Sequence, residues 1–185
     1  MNDPQRETVV LGGGCFWCLE AVFEQLKGVE SVESGYSGGT VPHPTYDAVC
    51  SGNTGHAEVI RVTFDPTGIS YRELLEVFFA VHDPTTLNRQ GADVGTQYRS
   101  VIFYVSAEQR ATAESVIAEL TVARACANPI VTKLALANEF FKAEAYHQGY
   151  YRTNPTRGYC QMVVGPKIAK ARAAFATKLL PIPRS

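Results

Sequence analysis

The sequence predicts an α+β fold, namely a ferredoxin-like two-layer sandwich in which helices cover one side of a mixed sheet. Short β-branched and apolar runs alternate with longer segments of helical periodicity. Their order forms two split βαβ units with a further helix, an arrangement typical of such sandwiches. At 185 residues the chain has the length of one domain. We therefore expect a single domain over 1–185, with a core of about 7–150, irregular extensions and a C-terminal segment of about 151–185.

The first βαβ unit begins with the apolar run 8–11, which predicts a strand. Three glycines follow it, and apolar residues then recur at helical spacing over 16–26, which predicts a helix that ends at Gly28. Residues 29–36 predict the second strand. The run 37–55 is rich in Gly, Pro, Ser and Thr, and a loop of that length in a compact domain is usually functional or mobile.

The second unit begins with 58–64, where apolar and polar residues alternate as in a strand with one buried face. Ser70 and Glu73 predict a capping box at the start of a helix that ends at His82, before Asp83-Pro84. The remaining predicted elements are a strand over 99–105, a helix over 106–124, a strand over 130–136 and a last, partly basic helix over 166–180.

Composition excludes several classes of function. Seventeen Lys and Arg against eighteen Asp and Glu leave a net charge of −1, so we expect no nucleic-acid partner and no attraction to an anionic membrane. The N-terminal residues lack the pattern of a signal peptide, and no run approaches the roughly 18 apolar residues of a membrane span. We therefore expect a cytoplasmic protein. Its five cysteines are then better interpreted as reactive, metal-binding or buried thiols than as disulfides.

The strongest local signal is the sequence GGGCFWC over 12–18. It places Cys15 where a glycine turn joins a strand to the first turn of a helix, whose free N–H groups stabilise an anion. Such a position can lower a cysteine pKa from about 8.5 to about 3.5–7.5, which predicts a thiolate nucleophile. The alternative is that Cys15 and Cys18 are only small buried apolar residues.

Other interpretations of this motif are weaker. A phosphate cradle is excluded because Trp17 stands where a dinucleotide-binding motif requires glycine. A thioredoxin-like dithiol explains Cys15 and Cys18 but not the aromatic residues Phe16 and Trp17, which suggest the wall of an apolar pocket. A zinc site would need two further ligands, and the available ones form no second close pair. Those candidate ligands are Cys50, His56, Cys126 and Cys160. We therefore predict no metal and no cofactor.

Seven ordered motifs between about Val9 and Cys160 strongly resemble those of the peptide methionine sulfoxide reductase A family. They are GCFWCLE at 14–20, GYSGG at 35–39, PTY at 44–46, TGHAE at 54–58, HDPT at 82–85, QGADVGTQYRS at 90–100 and HQ at 147–148. The resemblance implies a single catalytic domain with a ferredoxin-like core. It also implies thiol-dependent reduction of the S epimer of methionine sulfoxide, free or in proteins.

The resemblance assigns roles to individual residues. Cys15 corresponds to the nucleophile, Phe16 and Trp17 to a cage for the substrate methyl group, and Glu58 to the proton donor. Tyr46, Tyr98 and Asp93 match a polar pocket around the sulfoxide oxygen, and Cys160 matches the resolving cysteine, with Cys18 as its rival. The histidines at 56, 82 and 147 are interpreted as structural.

Physical chemistry agrees with these roles. A sulfoxide sulfur is a poor electrophile until its oxygen is protonated, so the site needs a neutral acid beside a thiolate. A carboxyl such as Glu58 is neutral at pH 7 only if it is buried. The resulting Cys15 sulfenic acid would condense with a second thiol to a disulfide. Thioredoxin, at about −270 mV, is the partner expected to reduce that disulfide.

Overall fold

The computed structural model describes residues 5–182 and has an α+β architecture. Its strands in this range are β1 Glu7–Gly12, β2 Val29–Ser37, β3 Ala57–Phe64, β4 Arg89–Gln90, β5 Asp93–Val94, β6 Val101–Tyr104, β7 Lys133–Leu136 and β8 Phe140–Lys142. Its α-helices are α1 Phe16–Phe23, α2 Tyr46–Cys50, α3 Tyr71–Val81, α4 Ala107–Val122, α5 Tyr150–Thr153 and α6 Gly165–Ala174. No helix in this range is long and apolar enough to cross a membrane.

Six of the strands form one mixed sheet in the order β7-β6-β1-β3-β2-β8. All neighbours are antiparallel except β6 and β7, which run parallel. Strand β3 lies between β1 and β2, and β1 lies between β3 and β6, so both βαβ units are split. The predicted mixed α+β class is confirmed. The ferredoxin-like description remains an interpretation of the four central strands, because β7 and β8 extend the sheet to six.

Alternation along β3 sets the position of the core. Ile60, Val62 and Phe64 belong to the main apolar cluster, which includes the buried faces of α1 and α3. Ala57 and Val59 point to the opposite face, where a smaller cluster with β6 residues buries them. Strand β3 is therefore covered on both faces at its first half, and this burial extends to Glu58 between them.

Helix α3 begins as the sequence predicts. The Ser70 hydroxyl accepts a hydrogen bond from the Glu73 N–H at 3.1 Å, and the Glu73 carboxylate accepts one from the Ser70 N–H at 2.8 Å. This capping box satisfies two backbone donors at the helix start. The Ser106 hydroxyl caps α4 through the Gln109 N–H in the same way.

The structure differs from the sequence prediction in short elements. The predicted loop 37–55 contains α2, where the Thr45 hydroxyl accepts a hydrogen bond from the Ala48 N–H at 3.2 Å. Helix α5 and strand β8 were not predicted. The last helix ends at Ala174 rather than at 180, and a wider π-helical turn, Cys160–Val164, precedes it. In that turn the Gly165 N–H reaches the Cys160 carbonyl, five residues back.

Candidate active site

The loop between β1 and α1 depends on glycine. Gly14 has φ of +94°, and a Cβ there would lie 2.6 Å from Cγ of Gln90. The Gln90 side chain is fixed in turn by two hydrogen bonds with the backbone of Asp83, both 2.9 Å long. The loop and this glutamine together place Cys15 at the N-cap position of α1, as the sequence predicts.

The thiol of Cys15 is only 7% exposed. Burial raises its pKa well above the usual value, and the thiol donates a hydrogen bond to Cys18, which raises the pKa further. The expectation of a lowered pKa from the helix start is therefore wrong for this structure, because desolvation outweighs it. The hydrogen bond from Cys15 lowers the pKa of Cys18, and so does the positive charge of Lys167.

The carboxyl group of Glu58 lies beside this loop and is 1% exposed. Its Oε1 atom accepts a hydrogen bond from the Phe16 N–H at 3.3 Å, and its Oε2 atom has no partner among residues 5–182. Burial raises the pKa of Glu58 to about 8 in spite of that hydrogen bond, and the charge of Asp93 raises it too. At neutral pH the group is therefore a protonated acid with a free oxygen edge.

Two phenols share the surroundings of Glu58. Burial raises the pKa values of Tyr46 and Tyr98, and for both phenols the charge of Glu58 raises them further. They are neutral hydrogen-bond donors at any physiological pH. Asp93 accepts a 2.6 Å hydrogen bond from the Tyr159 hydroxyl and acts electrostatically on Glu58. The structure thus brings the predicted polar residues together around the Glu58 carboxyl.

A second carboxylate, Glu144, which was not predicted from the sequence, positions Tyr46. One of its oxygens accepts from the Tyr36 hydroxyl at 2.9 Å, and the other accepts from the Tyr46 N–H at 3.1 Å. Glu144 therefore anchors the first residue of α2 to β2. No sequence signal marks this contact, because it joins residues 98 and 108 positions apart.

Phe16 and Trp17 belong to a larger cluster of rings, here called the aromatic wall, which also contains Tyr46, His147 and Tyr150. The Trp17 ring stacks on Tyr150, with centroids 3.7 Å apart and planes 7° apart. The Trp17 Nε1–H donates to Nδ1 of His147 at 3.0 Å. The Phe16 ring lies 5.0 Å from His147 and 6.5 Å from Tyr46. His147, predicted to be only structural, is fully buried in this wall, and the aromatic run that follows it in the sequence was the available signal.

The C-terminal segment brings Tyr159, rather than Cys160, into contact with the thiols. The Tyr159 hydroxyl lies 4.0 Å from Sγ of Cys18 and is also hydrogen-bonded to Cys15. Cys160 is 0% exposed and belongs to the main apolar cluster, where burial raises its pKa. All five cysteines are free thiols, so the structure represents the reduced protein.

Of the remaining candidate ligands, Cys50 is hydrogen-bonded to the side chain of Tyr46 at this site, whereas His56 is bound by backbone groups elsewhere. The two ring nitrogens of His56 bond to the Gly39 N–H at 3.0 Å and to the Val41 carbonyl at 2.7 Å. His82 is hydrogen-bonded to Ser100 at 2.8 Å. Within the described part of the chain no group of three or more His, Cys, Asp or Glu side chains could hold a metal ion.

The fold and the site, in which a buried thiol lies near a neutral carboxylic acid and two phenols, are those of an oxidoreductase. A family model for peptide methionine sulfoxide reductase matches residues 7–179. The chain belongs to the peptide methionine sulfoxide reductase family.

Individual relatives agree with this assignment. The chain is 57% identical over 174 residues to a peptide methionine sulfoxide reductase of Deinococcus radiodurans, covering 94% of this chain and 84% of that protein. It is 56% identical to the enzyme of Ralstonia nicotianae, with 97% and 96% coverage. Among solved structures, reduced Mxr1 from Saccharomyces cerevisiae is 34% identical with a TM-score of 0.77, covering 86% of this chain and 92% of that one. A complex of Mxr1 with Trx2 is 26% identical with a TM-score of 0.54, covering 81% and 88%.

The raised pKa of Glu58 predicts a specific pH dependence of stability. Glu58 titrates near 4.5 when unfolded and near 8 when folded, so the folded state binds more protons between these values and stability falls as pH rises through this window. Glu58→Gln removes this loss. Because one pKa unit corresponds to about 1.4 kcal/mol, we expect the variant to gain about 2–4 kcal/mol over the wild type between pH 5 and pH 9.

Urea unfolding of both proteins under reducing conditions at pH 5, 7 and 9 measures this gain. Glu108→Gln, at an exposed helical position, is the control and should show a gain of less than about 0.5 kcal/mol. A stability difference between Glu58→Gln and wild type that is independent of pH would show that Glu58 is ionised in the folded protein.

Proposed function

We propose that this protein reduces the S epimer of methionine sulfoxide, free or within proteins, and that thioredoxin regenerates it. The observation that carries the proposal is the unpartnered, protonated edge of Glu58 beside the Cys15 thiol, in a chain of this family. We further propose that it acts in the cytoplasm, where a thioredoxin pool is reducing.

In the first step Glu58 donates its proton to the sulfoxide oxygen, while Tyr46 and Tyr98 donate hydrogen bonds to that oxygen. The sulfur becomes electrophilic, and Cys15 attacks it and loses its thiol proton. The S–O bond breaks as the oxygen passes to the Cys15 sulfur, and methionine leaves. The proton lost by the thiol restores Glu58, so the products are methionine and a Cys15 sulfenic acid. The raised thiol pKa is compatible with this order, because the thiol ionises only when the acid has lost its proton.

The aromatic wall supplies substrate recognition in this proposal. Phe16 and Trp17 surround the methyl group of the substrate, which is apolar and small. The cage on one side of the sulfur receives the methyl group, and the hydrogen-bond donors on the other side bind the oxygen. The site thereby distinguishes these two groups from the lone pair. This arrangement supports selectivity for one sulfoxide epimer.

We propose that Cys160 then resolves the sulfenic acid by condensing with Cys15 to a disulfide and releasing water. Residues 155–158, which precede Cys160, are exposed, so this segment can rearrange without unpacking the sheet. The movement must withdraw Tyr159 from the thiols. The Mxr1–Trx2 complex supports thioredoxin as the protein that reduces the disulfide. Cys18 is the rival resolving thiol, because it already shares a hydrogen bond with Cys15.

A second candidate function is general dithiol–disulfide exchange through Cys15 and Cys18. The hydrogen bond between their thiols, at the start of α1, favours it. An assay with dithiothreitol separates the two: sulfoxide reduction on separated epimers supports the first, and reduction of protein disulfides without sulfoxide reduction supports the second.

The nucleophile can be tested with Cys15→Ser. A hydroxyl is a far weaker nucleophile at neutral pH, so we expect complete loss of methionine formation with an unchanged circular dichroism spectrum. Cys126→Ser, which changes a half-buried thiol outside this site, should keep full activity. Substantial methionine formation by Cys15→Ser would show that Cys15 is not the nucleophile.

The acid can be tested with Glu58→Gln in single-turnover experiments. The amide has no acidic proton, so sulfenic acid formation should slow by about 10²–10⁴-fold, with a smaller effect on substrate binding. In the wild type the same rate should fall as pH rises past about 8, where the carboxyl ionises. A wild-type rate that stays level across this range would show that Glu58 is not the acid.

The resolving thiol can be tested with Cys160→Ser and Cys18→Ser. If Cys160 resolves the sulfenic acid, Cys160→Ser releases one methionine per enzyme but does not turn over with thioredoxin, and Cys18→Ser remains active. Peptide mapping of substrate-oxidised wild type should show mainly a Cys15–Cys160 disulfide. A dominant Cys15–Cys18 disulfide, with full thioredoxin turnover in Cys160→Ser, would instead assign the role to Cys18.

A further inference from the structure

We propose that Glu20 is a positioning residue for the aromatic wall: its carboxylate binds the backbone where α5 begins and thereby fixes the two partners of the Trp17 ring. The effect on catalysis rests on the proposed role of Trp17 in substrate binding. The effect on the ring itself does not.

Glu20 lies on α1 three residues after Trp17, so the two side chains share one face of the helix. Its side chain is buried, with 3% of the residue exposed. The Oε1 atom accepts a hydrogen bond from the Gly149 N–H at 2.8 Å, and the Tyr150 N–H is a second backbone donor to the carboxylate. Gly149 has φ of +61°, a left-handed turn that directs both N–H groups to one acceptor.

Residues 147–150, which end at the two N–H groups bound by Glu20, supply both partners of the Trp17 ring. Tyr150 stacks on the indole, and His147 accepts the hydrogen bond from its Nε1–H. The Glu20 carboxylate thus binds the same short segment that fixes the indole in position and orientation. Loss of the carboxylate would leave the N–H groups of Gly149 and Tyr150 buried without an acceptor, which displaces the segment.

Simple attachment of α5 to α1 does not require a buried carboxyl. Glu24, the residue directly after α1, already forms an ion pair with Arg152 of α5 at the surface, at 2.9 Å. An apolar side chain at position 20 would pack in the core without the cost of burying an acid. The specific property of Glu20 is its acceptor capacity towards two backbone donors.

The Glu20 carboxyl group titrates near neutral pH. Burial raises its pKa to about 7, Glu24 directly after α1 raises it, and Arg152 of α5 and the two backbone N–H groups lower it. Burial keeps His147, in the same segment, neutral by lowering its pKa. Since an ionised carboxylate accepts stronger hydrogen bonds than a neutral one, the order of the aromatic wall should increase as pH rises through about 7.

Trp17 is the only tryptophan of the chain, so its fluorescence reports on this wall directly. We would record emission and acrylamide quenching from pH 5 to 9 for the wild type, Glu20→Gln and Glu20→Ala, without substrate. Glu24→Gln, which removes the surface ion pair and one charge that raises the Glu20 pKa but leaves the Glu20 carboxylate in place, is the matched control. The wild type should titrate with a midpoint near pH 7 and the control with a lower midpoint, because Glu24 no longer raises the Glu20 pKa. Glu20→Gln should not titrate. Glu20→Ala should show a more quenchable tryptophan at every pH.

Steady-state assays then measure the consequence for the reaction. We expect Glu20→Ala to raise KM for methionine sulfoxide about 10-fold, with kcat changed less than about 3-fold. At pH 6, KM of Glu20→Gln should be close to the wild-type value. A titration that persists in Glu20→Gln, or wild-type KM and quenching in Glu20→Ala, would overturn the inference. If Glu20→Ala does not fold, the titration of Glu20→Gln decides alone. Because fluorescence requires no turnover, a failure of the proposed function leaves that result interpretable.

Discussion

Desolvation of one carboxyl group is the constraint on which the rest of this site depends. Glu58 lies in the first half of β3, where both faces of the strand are covered, between Ala57 and Val59. A surface carboxyl would be ionised at neutral pH and could not protonate a weak base such as a sulfoxide. The neighbouring groups follow from the same requirement. Phenols supply hydrogen bonds without a cation, and a cation would lower the carboxyl pKa.

The same desolvation governs the thiol, and here two physical effects oppose each other. A helix start favours a thiolate, whereas an apolar and acidic neighbourhood favours a thiol. In this structure the apolar and acidic surroundings have the larger effect, so the pKa of Cys15 is raised. The reduced site is therefore electrically neutral at its centre, with the Glu58 carboxyl and the Cys15 thiol both carrying protons. In the proposed mechanism, charges separate only when a substrate that can accept a proton is present.

Local sequence signals predicted those parts of the molecule that local interactions stabilise. The capping box of Ser70 and Glu73, the alternation along β3 and the glycine turn before Cys15 each involve neighbours in sequence, and each is present. The short elements α2, α5 and β8 were missed because contacts with distant residues contribute to them, in α2 together with the local Thr45 cap. Helix α2 depends on Glu144 and α5 on Glu20. The Cys15 pKa was predicted in the wrong direction for the same reason, since its burial depends on residues far along the chain.

The two short strands β4 and β5 connect the two sides of the site. Gln90 in β4 packs on Gly14 and so supports the loop before Cys15, while Asp93 in β5 accepts the hydrogen bond of Tyr159. Only two residues separate these side chains in the chain. Surface hairpins ordinarily tolerate insertions and deletions over evolutionary time. In this hairpin, one added residue would displace either the support of the nucleophile or the acceptor of the phenol. Both contacts together therefore fix the length of this hairpin, although neither Gln90 nor Asp93 belongs to the apolar core.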